Sequence, residues 1–464
     1  MGTFIDNLCY DKDGVLTLDG WSLEEMCRRH GTPLFVASRA RIEENVNRFN
    51  RAFSGYKPCV LLAYSSKTNS NLGILQTLHQ AGIHAAVCSG LDYTAARLAG
   101  FPPERIFLDG LVKLPNDVAR AVREKIRLIN VESWEELQLV DEISRQEGCV
   151  TPVGLRVRIG PPLLDSFSIK NLLGISYDRF GFDVRSGLLY RVLEKALGLS
   201  HVRIEGLLVH EGSHYHCARP YLRSLRQVMP IVQKLAQRSP GSFQYLNLGG
   251  GFGVSGVRPY TVWDRIPLGP RRRKGQAASD DRTAQSFDLD RMAADIVTEV
   301  TATFQKAGLA PPTLVFEPGR WVTGDAILLV GRILLRKDVP RSGTWLILDA
   351  GTNLFPYLLS LNEEHRFVPV RTPTIKTEEW VHLAGPLLYS SDILAKNYSL
   401  PHLEAGALLA LLDAGAYTLA YSNQFLYPRP AMVLLDRNQE VRIIRKAETH
   451  QDVLRQDQTY PSGA

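Results

Sequence analysis

A lysine, a histidine and a run of glycines are spaced along this chain so that they could act together on a small molecule. Lys67 follows the apolar run Val60–Tyr64, and a partly desolvated lysine amine is the nucleophile that Schiff-base enzymes require. His210 and the run Gly249–Gly251 follow similar apolar runs. Because glycines have no Cβ, their backbone N–H groups can approach an anion closely. The set indicates covalent amine chemistry on a ligand that carries a phosphate.

Glu317 and Arg320 add a carboxylate and a guanidinium after a further apolar run. Arg320 would offer a fork of donors to a phosphate. Each candidate also has an ordinary interpretation, since most lysines are on the surface, many histidines are satisfied in a core and glycine runs form simple turns. His214, His216 and Cys217 raise the alternative of a metal site, but no carboxylate completes a familiar ligand pattern. We therefore expect no metal.

Eight short apolar runs alternate with helical patterns from about residue 38 to 320. These runs are Val60–Tyr64, His84–Cys88, Arg105–Asp109, Arg127–Val131, Val153–Val157, Ile204–Val209, Gln244–Leu248 and Thr313–Phe316. Eightfold alternation predicts an α/β fold of the closed (β/α)8 TIM-type barrel class, with a doubly wound sheet as the alternative. Barrel enzymes build their sites at the carboxyl ends of the strands. The candidate residues all follow such runs, so we expect them to converge on one rim.

The pattern changes after Gly319, where apolar runs follow one another without long helices between them. This predicts a C-terminal, mostly antiparallel β domain at 321–464. The opening segment 1–37 contains two short strand patterns and is expected to join that domain. The barrel then spans 38–320, and its stretch 254–286, rich in Arg, Pro, Gly and Ser, is predicted to be a mobile insertion.

Composition excludes several classes of protein. The 464 residues are 45% hydrophobic and 22% charged, with a net charge of +6, which is ordinary for a two-domain globular chain. The one dense basic run, Arg271–Lys274, is better explained as a solvated loop than as a nucleic-acid site. No apolar run is long enough to span a membrane. The six scattered cysteines are typical of reduced thiols in a cytoplasmic protein.

Four motifs give the sequence a family resemblance. They are Ser66-Lys67-Thr68, Gly110-Leu111-Val112-Lys113, Glu317-Pro318-Gly319-Arg320-Trp321-Val322-Thr323-Gly324 and Asp413-Ala414-Gly415-Ala416-Tyr417-Thr418. With them the chain resembles, over almost its whole length, the fold-type III decarboxylases that use pyridoxal 5′-phosphate (PLP): diaminopimelate decarboxylase, ornithine decarboxylase and their relatives. Within that family it looks most like the branch acting on D-lysine and D-ornithine. The resemblance implies an alanine racemase-like fold, a barrel joined to a β domain.

The resemblance also implies PLP as the cofactor and a role for each candidate. Lys67 would form the Schiff base with PLP, His210 would stack on the ring and Glu317 would pair with the ring nitrogen. The phosphate contacts would be Ser213, Gly249, Gly250, Gly251, Arg320 and Tyr417. A carboxylate beside the ring nitrogen favours its protonated form, and the cationic ring is a better electron sink. The implied reaction is loss of the α-carboxylate as CO2, then protonation at Cα.

The resemblance further implies a homodimer with shared active sites, in which the segment Ala384–Asp392 of one subunit completes the site of the other. The family pattern in that segment is Gly-Pro-Leu-Cys followed by an acid. This chain has Leu388 in place of the cysteine and Tyr389 in place of the acid, and leucine cannot transfer a proton. In addition, Ala86 replaces a frequent aspartate, and Phe355 stands where diaminopimelate decarboxylases have an arginine for the distal carboxylate.

These departures lead to a specific expectation about function. The chain is expected to decarboxylate an amino acid or an amino-acid derivative, not diaminopimelate, as in secondary metabolism. Lys67, Glu317, His210 and Tyr389 are the expected catalytic residues. The expected substrate contacts are Phe355, Leu388, Tyr389 and Asp392. The alternatives are a PLP enzyme with another carbanion fate, by oxidation or elimination, and an inactive partner-binding homologue.

Overall fold

The structure is a computed structural model that describes residues 7–159, 179–210, 212–254, 258–259, 287–360, 363–373, 377–436 and 440–459. The chain forms two compact units. One comprises Met1–Ile42, Ser255–Gln285 and Thr323–Ala464, and the other comprises Glu43–Val254 and Ser286–Val322. The predicted domain boundaries stay a prediction. The predicted mobile insertion 254–286 lies outside the described residues, apart from Val254 and Arg258–Pro259.

The strands, in chain order, are β1 (Leu8–Tyr10), β2 (Leu16–Leu18), β3 (Trp21–Ser22), β4 (Leu34–Ser38), β5 (Val60–Ser65), β6 (His84–Val87), β7 (Ile106–Leu108), β8 (Leu128–Val131), β9 (Thr151–Arg158), β10 (Phe182–Asp183), β11 (Val202–Val209), β12 (Tyr245–Asn247), β13 (Arg258–Pro259), β14 (Thr313–Phe316), β15 (Ile327–Val339), β16 (Gly343–Leu348), β17 (Glu363–Glu364), β18 (Phe367–Pro369), β19 (Glu378–Ala384), β20 (Ile393–Pro401), β21 (Leu408–Leu411), β22 (Ala431–Leu435) and β23 (Val441–Arg445). The helices are α1 (Leu23–His30), α2 (Arg39–Ala52), α3 (Leu72–Gln80), α4 (Gly90–Leu98), α5 (Pro115–Arg123), α6 (Trp134–Gln146), α7 (Leu188–Ala196), α8 (Arg219–Arg238), α9 (Leu289–Lys306), α10 (Arg320–Thr323), α11 (Pro356–Ser360) and α12 (His450–Leu454).

The predicted barrel is confirmed. Strands β5, β6, β7, β8, β9, β11, β12 and β14 pair in parallel in that order, and β14 pairs with β5 to close the ring. Each of them overlaps one of the eight apolar runs in the sequence. Closure removes both edges of the sheet, so every barrel strand is hydrogen-bonded on two sides.

Side chains fill the interior of the barrel. One cluster of buried residues joins small alanines, Ala63 and Ala86, to the larger Phe107, Leu128 and Tyr245. The rings of Phe107 and Tyr245 meet edge to face at 6.2 Å. Small residues beside rings on neighbouring strands fill the taper of a closed sheet. A packed floor of this kind confines any ligand to the rim.

The barrel helices begin and end where the sequence provides capping residues. Asp288 accepts the N–H of Arg291 at 3.0 Å at the start of α9, as predicted. Gly308, just past the end of that helix, has a φ of +68°, which glycine adopts without strain. Ser133 caps α6 in the same way by accepting the N–H of Glu136 at 3.1 Å.

The other unit is built on a mixed sheet in the order β20-β19-β16-β15-β4-β22-β23, with β21 and β18 paired beside β15. Most of its pairs are antiparallel, while β16–β19 and β4–β22 are parallel. The early strand β4 pairs with β15 and β22, so residues 34–38 are part of this sheet. Its core includes Leu34, Val36, Leu328 and Val433. Among the described residues, no helix has both the length and the apolar character needed to cross a membrane.

Candidate active site

Lys67 lies at the carboxyl end of β5, in a 3₁₀ turn formed by Ser66–Thr68. Ser66 Oγ donates to the carbonyl of Ala86 at 3.1 Å. A Cβ at Gly319 would lie 1.9 Å from Thr68 Oγ1, so the loop after β14 packs directly on this turn. Ser66 and Thr68 are buried, but the Lys67 side chain is exposed. From the sequence we expect a partly desolvated amine, whereas the structure places Lys67 with an exposed side chain on a buried turn.

Glu317 carries a carboxyl group at the end of β14. The side-chain amide of Asn247, at the end of β12, donates to Glu317 Oε1. The backbone N–H of Glu317 donates to the carbonyl of Gly249 at 2.8 Å. Burial raises the pKa of Glu317 from 4.5 to about 8, and the charge of Asp109 acts in the same direction. The carboxyl group therefore holds a proton at neutral pH until a cationic partner stabilises its charged form.

His210 follows β11 and is half-buried. The backbone N–H of Gly250 donates to its Nδ1 at 3.2 Å, which places the proton of a neutral ring on Nε2. Burial lowers the pKa of His210 to about 3, and the positive charges of Lys67 and Arg156 act in the same direction. The planar imidazole ring is therefore uncharged at physiological pH.

The loop Gly249–Gly251, after β12, passes too close to its neighbours for a larger residue. A Cβ at position 250 would lie 2.4 Å from the carbonyl oxygen of Glu317, and one at position 251 would lie 2.3 Å from that of Gly212. The hydroxyl of Tyr221 donates to the carbonyl of residue 250 at 2.9 Å. Residues 249 and 251 have φ values of +70° and +86°, which suit glycine. The result is a rigid stretch of backbone at the rim, of the kind that holds a phosphate.

Three further polar residues at the same strand ends were missed by the sequence prediction. Asp109 follows β7 and accepts a hydrogen bond from the Asn130 amide of β8. Glu132 follows β8 and accepts a hydrogen bond from Arg156 Nη1, on β9, at 2.5 Å. The guanidinium of Arg156 also lies 4.4 Å from the centre of the Phe180 ring. The strand-end rule that found Lys67 also applies to these positions.

A buried ion pair supports this rim from behind. Lys113 Nζ lies 3.1 Å from Glu136 Oε1 and donates to the carbonyl of Gly110 at 2.7 Å. Glu136 also accepts the backbone N–H groups of Lys113 and Glu132, at 3.2 and 2.7 Å. The pair thus ties the loop after β7 to the loop after β8. This gives the Gly110–Lys113 motif a structural purpose.

Comparison with known proteins places this site in a family. Residues 39–324 match the family model described as pyridoxal-dependent decarboxylase, pyridoxal binding domain. This chain belongs to the pyridoxal-dependent decarboxylase family. It is 30% identical over 451 residues to diaminopimelate decarboxylase of Methanocaldococcus jannaschii, covering 96% of this chain and 95% of that one. It is also 30% identical over 440 residues to diaminopimelate decarboxylase of Aquifex aeolicus, covering 95% and 94%.

Solved structures agree with this assignment. The crystal structure of the M. jannaschii diaminopimelate decarboxylase superposes with a TM-score of 0.85 at 28% identity, over 98% of each chain. The predicted fold of the decarboxylase family is therefore confirmed. The protein is a PLP-dependent carboxy-lyase that acts on an amino acid.

The barrel rim of this decarboxylase fits PLP in its chemistry. The glycine loop, the exposed hydroxyl of Ser213 and the Arg320 guanidinium at the start of α10 are suitable donors for a phosphate. Glu317 is a carboxyl whose raised pKa falls when a cationic N–H donor faces it. A protonated pyridine nitrogen is such a donor. The neutral, flat ring of His210 suits stacking on an aromatic cofactor.

The remaining predicted phosphate ligand, Tyr417, lies in the other unit of the decarboxylase. Its backbone has a φ of +57°, and its ring stacks on Tyr357 at 4.7 Å. The motif around it is fixed by contacts with the turn after α10. Gly415 donates its N–H to the carbonyl of Gly324 at 3.0 Å, and a Cβ at Gly415 would lie 1.8 Å from the carbonyl oxygen of Thr323. This close approach explains why a glycine stands two residues before the tyrosine.

The segment Gly385–Asp392, in which the sequence predicts a departure from the family pattern, joins β19 to β20. Leu388 is 94% exposed and Tyr389 is 50% exposed, and the Tyr389 ring meets Phe425 edge to face at 6.5 Å. Asp392 is buried, and its carboxylate accepts the N–H of Thr352 at 2.7 Å and the N–H of Leu387 at 2.8 Å. The segment is thus held by Asp392 and presents Leu388 and Tyr389 outward. Direct contact of Asp392 with substrate stays a prediction.

Phe355 is 1% exposed and packs against Phe35 and His365, with ring centres 6.4 and 5.9 Å apart. The structure therefore gives this ring a role in the core of its unit, and its contact with substrate also stays a prediction. The described ranges contain no group of three His, Cys, Asp or Glu side chains placed to hold a metal ion.

Proposed function

We propose that this enzyme decarboxylates an amino acid or amino-acid derivative other than diaminopimelate, with Lys67 as the Schiff-base residue. The observation that carries this proposal is the segment Gly385–Asp392, which presents Leu388 and Tyr389 outward where the family pattern has a thiol and an acid. An apolar and a phenolic side chain favour a substrate whose far end is bulkier and less charged than that of diaminopimelate. On the four motifs, we propose that the enzyme belongs to the branch of the family that acts on D-lysine and D-ornithine.

Each residue of the barrel rim has a task in this proposal. PLP, when bound, withdraws electrons from the carbon that loses CO2. Glu317 would share its proton with the ring nitrogen of PLP, and Asn247 holds the carboxyl group in place. His210 would stack on PLP as a neutral ring, because burial lowers its pKa to about 3. The residues that would hold the phosphate are Ser213, Gly249, Gly250, Gly251 and Arg320, with Tyr417 as a further predicted contact.

The substitution of Leu388 for the family's cysteine favours a second candidate function. A leucine cannot donate a proton, so the carbanion must take a proton from another group or be resolved by oxidation or elimination. Tyr389 is the nearest replacement in sequence, with Lys67 and water as rivals. A phenol becomes a useful acid only where neighbouring cations lower its pKa. An inactive homologue would have no need to keep Lys67 and Glu317.

Leu388→Cys and Tyr389→Phe should separate these functions. Purified wild type, with PLP, is tested on a panel of D- and L-amino acids, including acylated ones, for CO2 release and for product mass. We expect CO2 from an amino acid other than diaminopimelate. Leu388→Cys should shift the products toward the simple amine, and Tyr389→Phe should slow turnover or change the facial selectivity of deuterium uptake from D2O. Both side chains are exposed within their own subunit, so neither change should disturb the fold of that subunit, as circular dichroism can check.

Two results would contradict the proposal. Efficient turnover of diaminopimelate would exclude the altered substrate. If Tyr389→Phe matches the wild type in rate, product and facial selectivity, the phenol is not the acid and only packs against the substrate.

We also propose that the active enzyme is a homodimer in which the segment Gly385–Asp392 serves the partner's site. Exposed side chains such as Leu388 and Tyr389 are then covered by the second copy. Lys67→Ala should be mixed with an inactive but still dimeric variant of the segment, such as Asp392→Asn. Reassortment should restore activity at about a quarter of the sites, because half of the dimers are mixed and each regenerates one intact site. Exchange without recovery would place the segment in its own subunit's site.

A further inference from the structure

Asp109 is a buried carboxylate that the proposed function leaves unused. It is 7% exposed and directly follows β7. Its backbone N–H donates to the carbonyl of Val87 on β6 at 2.8 Å, which fixes the position of the residue. One carboxylate oxygen accepts a hydrogen bond from Asn130. The other, Oδ2, is buried and has no hydrogen-bond partner among the described residues, although burying a carboxylate is costly unless it is paired.

The surroundings are built to hold Asn130 against Asp109. Asn130 is 1% exposed on β8, and its neighbour on β9 is Gly154. A Cβ at Gly154 would lie 2.0 Å from Asn130 Oδ1. Only glycine leaves room for this amide, whose NH2 group then points at the carboxylate. Three adjacent barrel strands therefore cooperate to fix one carboxylate at the rim.

The charges that act on Asp109 come from several strand ends. Lys113, Arg156 and Lys67 each stabilise its charged form, while burial raises its pKa. Lys113 is paired with Glu136 and Arg156 with Glu132. Asp109 in turn raises the pKa of Glu317 and of the half-buried thiol of Cys88. The positive charge of Lys67 acts on the Cys88 pKa in the opposite direction. Of the three cations, Lys67 is the one that the proposed function makes reactive.

We infer that Asp109 is a positioning residue for the Lys67 amine. Its open carboxylate oxygen attracts the cationic form of this amine and draws it inward from the rim. This inference rests on the proposed role of Lys67. The same charge opposes ionisation of Glu317, so the two carboxyl groups together fix how many protons the rim holds. Asn130 orients Asp109 and acts only through it.

Asp109→Asn tests this inference, because it keeps the shape and removes the charge. A carboxylate favours the protonated state of a nearby nitrogen. We therefore expect the pH titration of the visible absorbance of the Lys67-linked cofactor to move to lower pH by about one unit or more, the shift that a loss of about 1.4 kcal/mol produces. The matched control is Glu104→Gln, an exposed carboxylate just before the same strand, which should titrate like the wild type.

A second measurement separates positioning from a structural role. The melting temperature of the cofactor-free Asp109→Asn protein should be unchanged or higher, since a buried carboxylate with an open oxygen costs stability. Asn130→Ala, which removes the donor that favours the charged carboxylate, should move the titration in the same direction by less. This variant carries the test if Asp109→Asn does not fold.

The outcomes are distinguishable from failure of the proposed function. If borohydride reduction of the wild type labels a lysine other than Lys67, the proposed function fails. If Lys67 is labelled in wild type and variants, but both variants titrate like the wild type, this inference alone is overturned. A lowered melting temperature with an unchanged titration would show that Asp109 is merely structural.

Discussion

Lys67→Ala should reduce turnover to the background rate. When PLP is added, the variant should not show the visible absorbance of the Lys67-linked cofactor. The expectation follows from the chemistry of the proposed site, in which the Lys67 amine is the nucleophile. The turn that carries it is fixed by buried neighbours, Ser66 and Thr68, and the Lys67 side chain itself is exposed. Its removal should therefore leave the melting temperature of the cofactor-free protein unchanged. Absorbance spectra, CO2 release and thermal melting measure the three quantities.

Two companion variants make this test specific to the amine. Lys67→Arg keeps the positive charge but not the nucleophile, so it should be as inactive as the alanine variant. Lys57→Ala removes an exposed lysine just before the same strand, β5, and should match the wild type. Borohydride reduction followed by peptide mapping should label Lys67 in the wild type. A label on another lysine, or activity in Lys67→Arg, would contradict the assignment.

The barrel could be predicted because each of its strands has a recognisable local sequence pattern. A parallel strand that is covered on both faces consists of a nearly continuous apolar run, as in Val60–Tyr64 within β5 and Leu314–Phe316 within β14. The β unit was harder to predict, since β4 pairs with β15 and β22, about 290 and 400 residues later in the chain. Sequence pattern shows that such a strand exists, but not which partner it meets.

The candidate site was predictable where a motif marks it and unpredictable where partners come from separate strands. Lys67, His210 and Glu317 follow apolar runs and carry distinctive chemistry. Asp109 also follows such a run, but its importance depends on the amide of Asn130 and on the space left by Gly154. That arrangement exists only after three strands have aligned. The exposure of Lys67 was likewise missed, because burial depends on the surrounding loops and not on the residue.

Glu317→Gln is the second variant for which we expect a large effect. Its first expected effect is on how the stability of the cofactor-free protein depends on pH. Burial, with the charge of Asp109, raises the pKa of Glu317 from 4.5 to about 8. The native state therefore binds one more proton than the unfolded state between these values, so wild-type stability falls as pH rises through that window. Glutamine does not titrate, yet its amide oxygen can still accept from Asn247. Urea unfolding at pH 5, 6.5 and 8 should show the variant gaining stability relative to the wild type as pH rises.

With PLP bound, the same substitution should damage catalysis far more than binding. Glu317 favours a protonated ring nitrogen, and the cationic ring stabilises the carbanion most strongly in the transition state. We expect kcat to fall by about a hundredfold or more, the scale of a lost proton-holding group. The affinity for PLP should change less than about tenfold, because the phosphate and Schiff-base contacts remain. Unchanged turnover at saturating substrate would show that the proton on the ring nitrogen does not matter here. A loss of PLP affinity as large as the loss of kcat would make Glu317 a binding residue only.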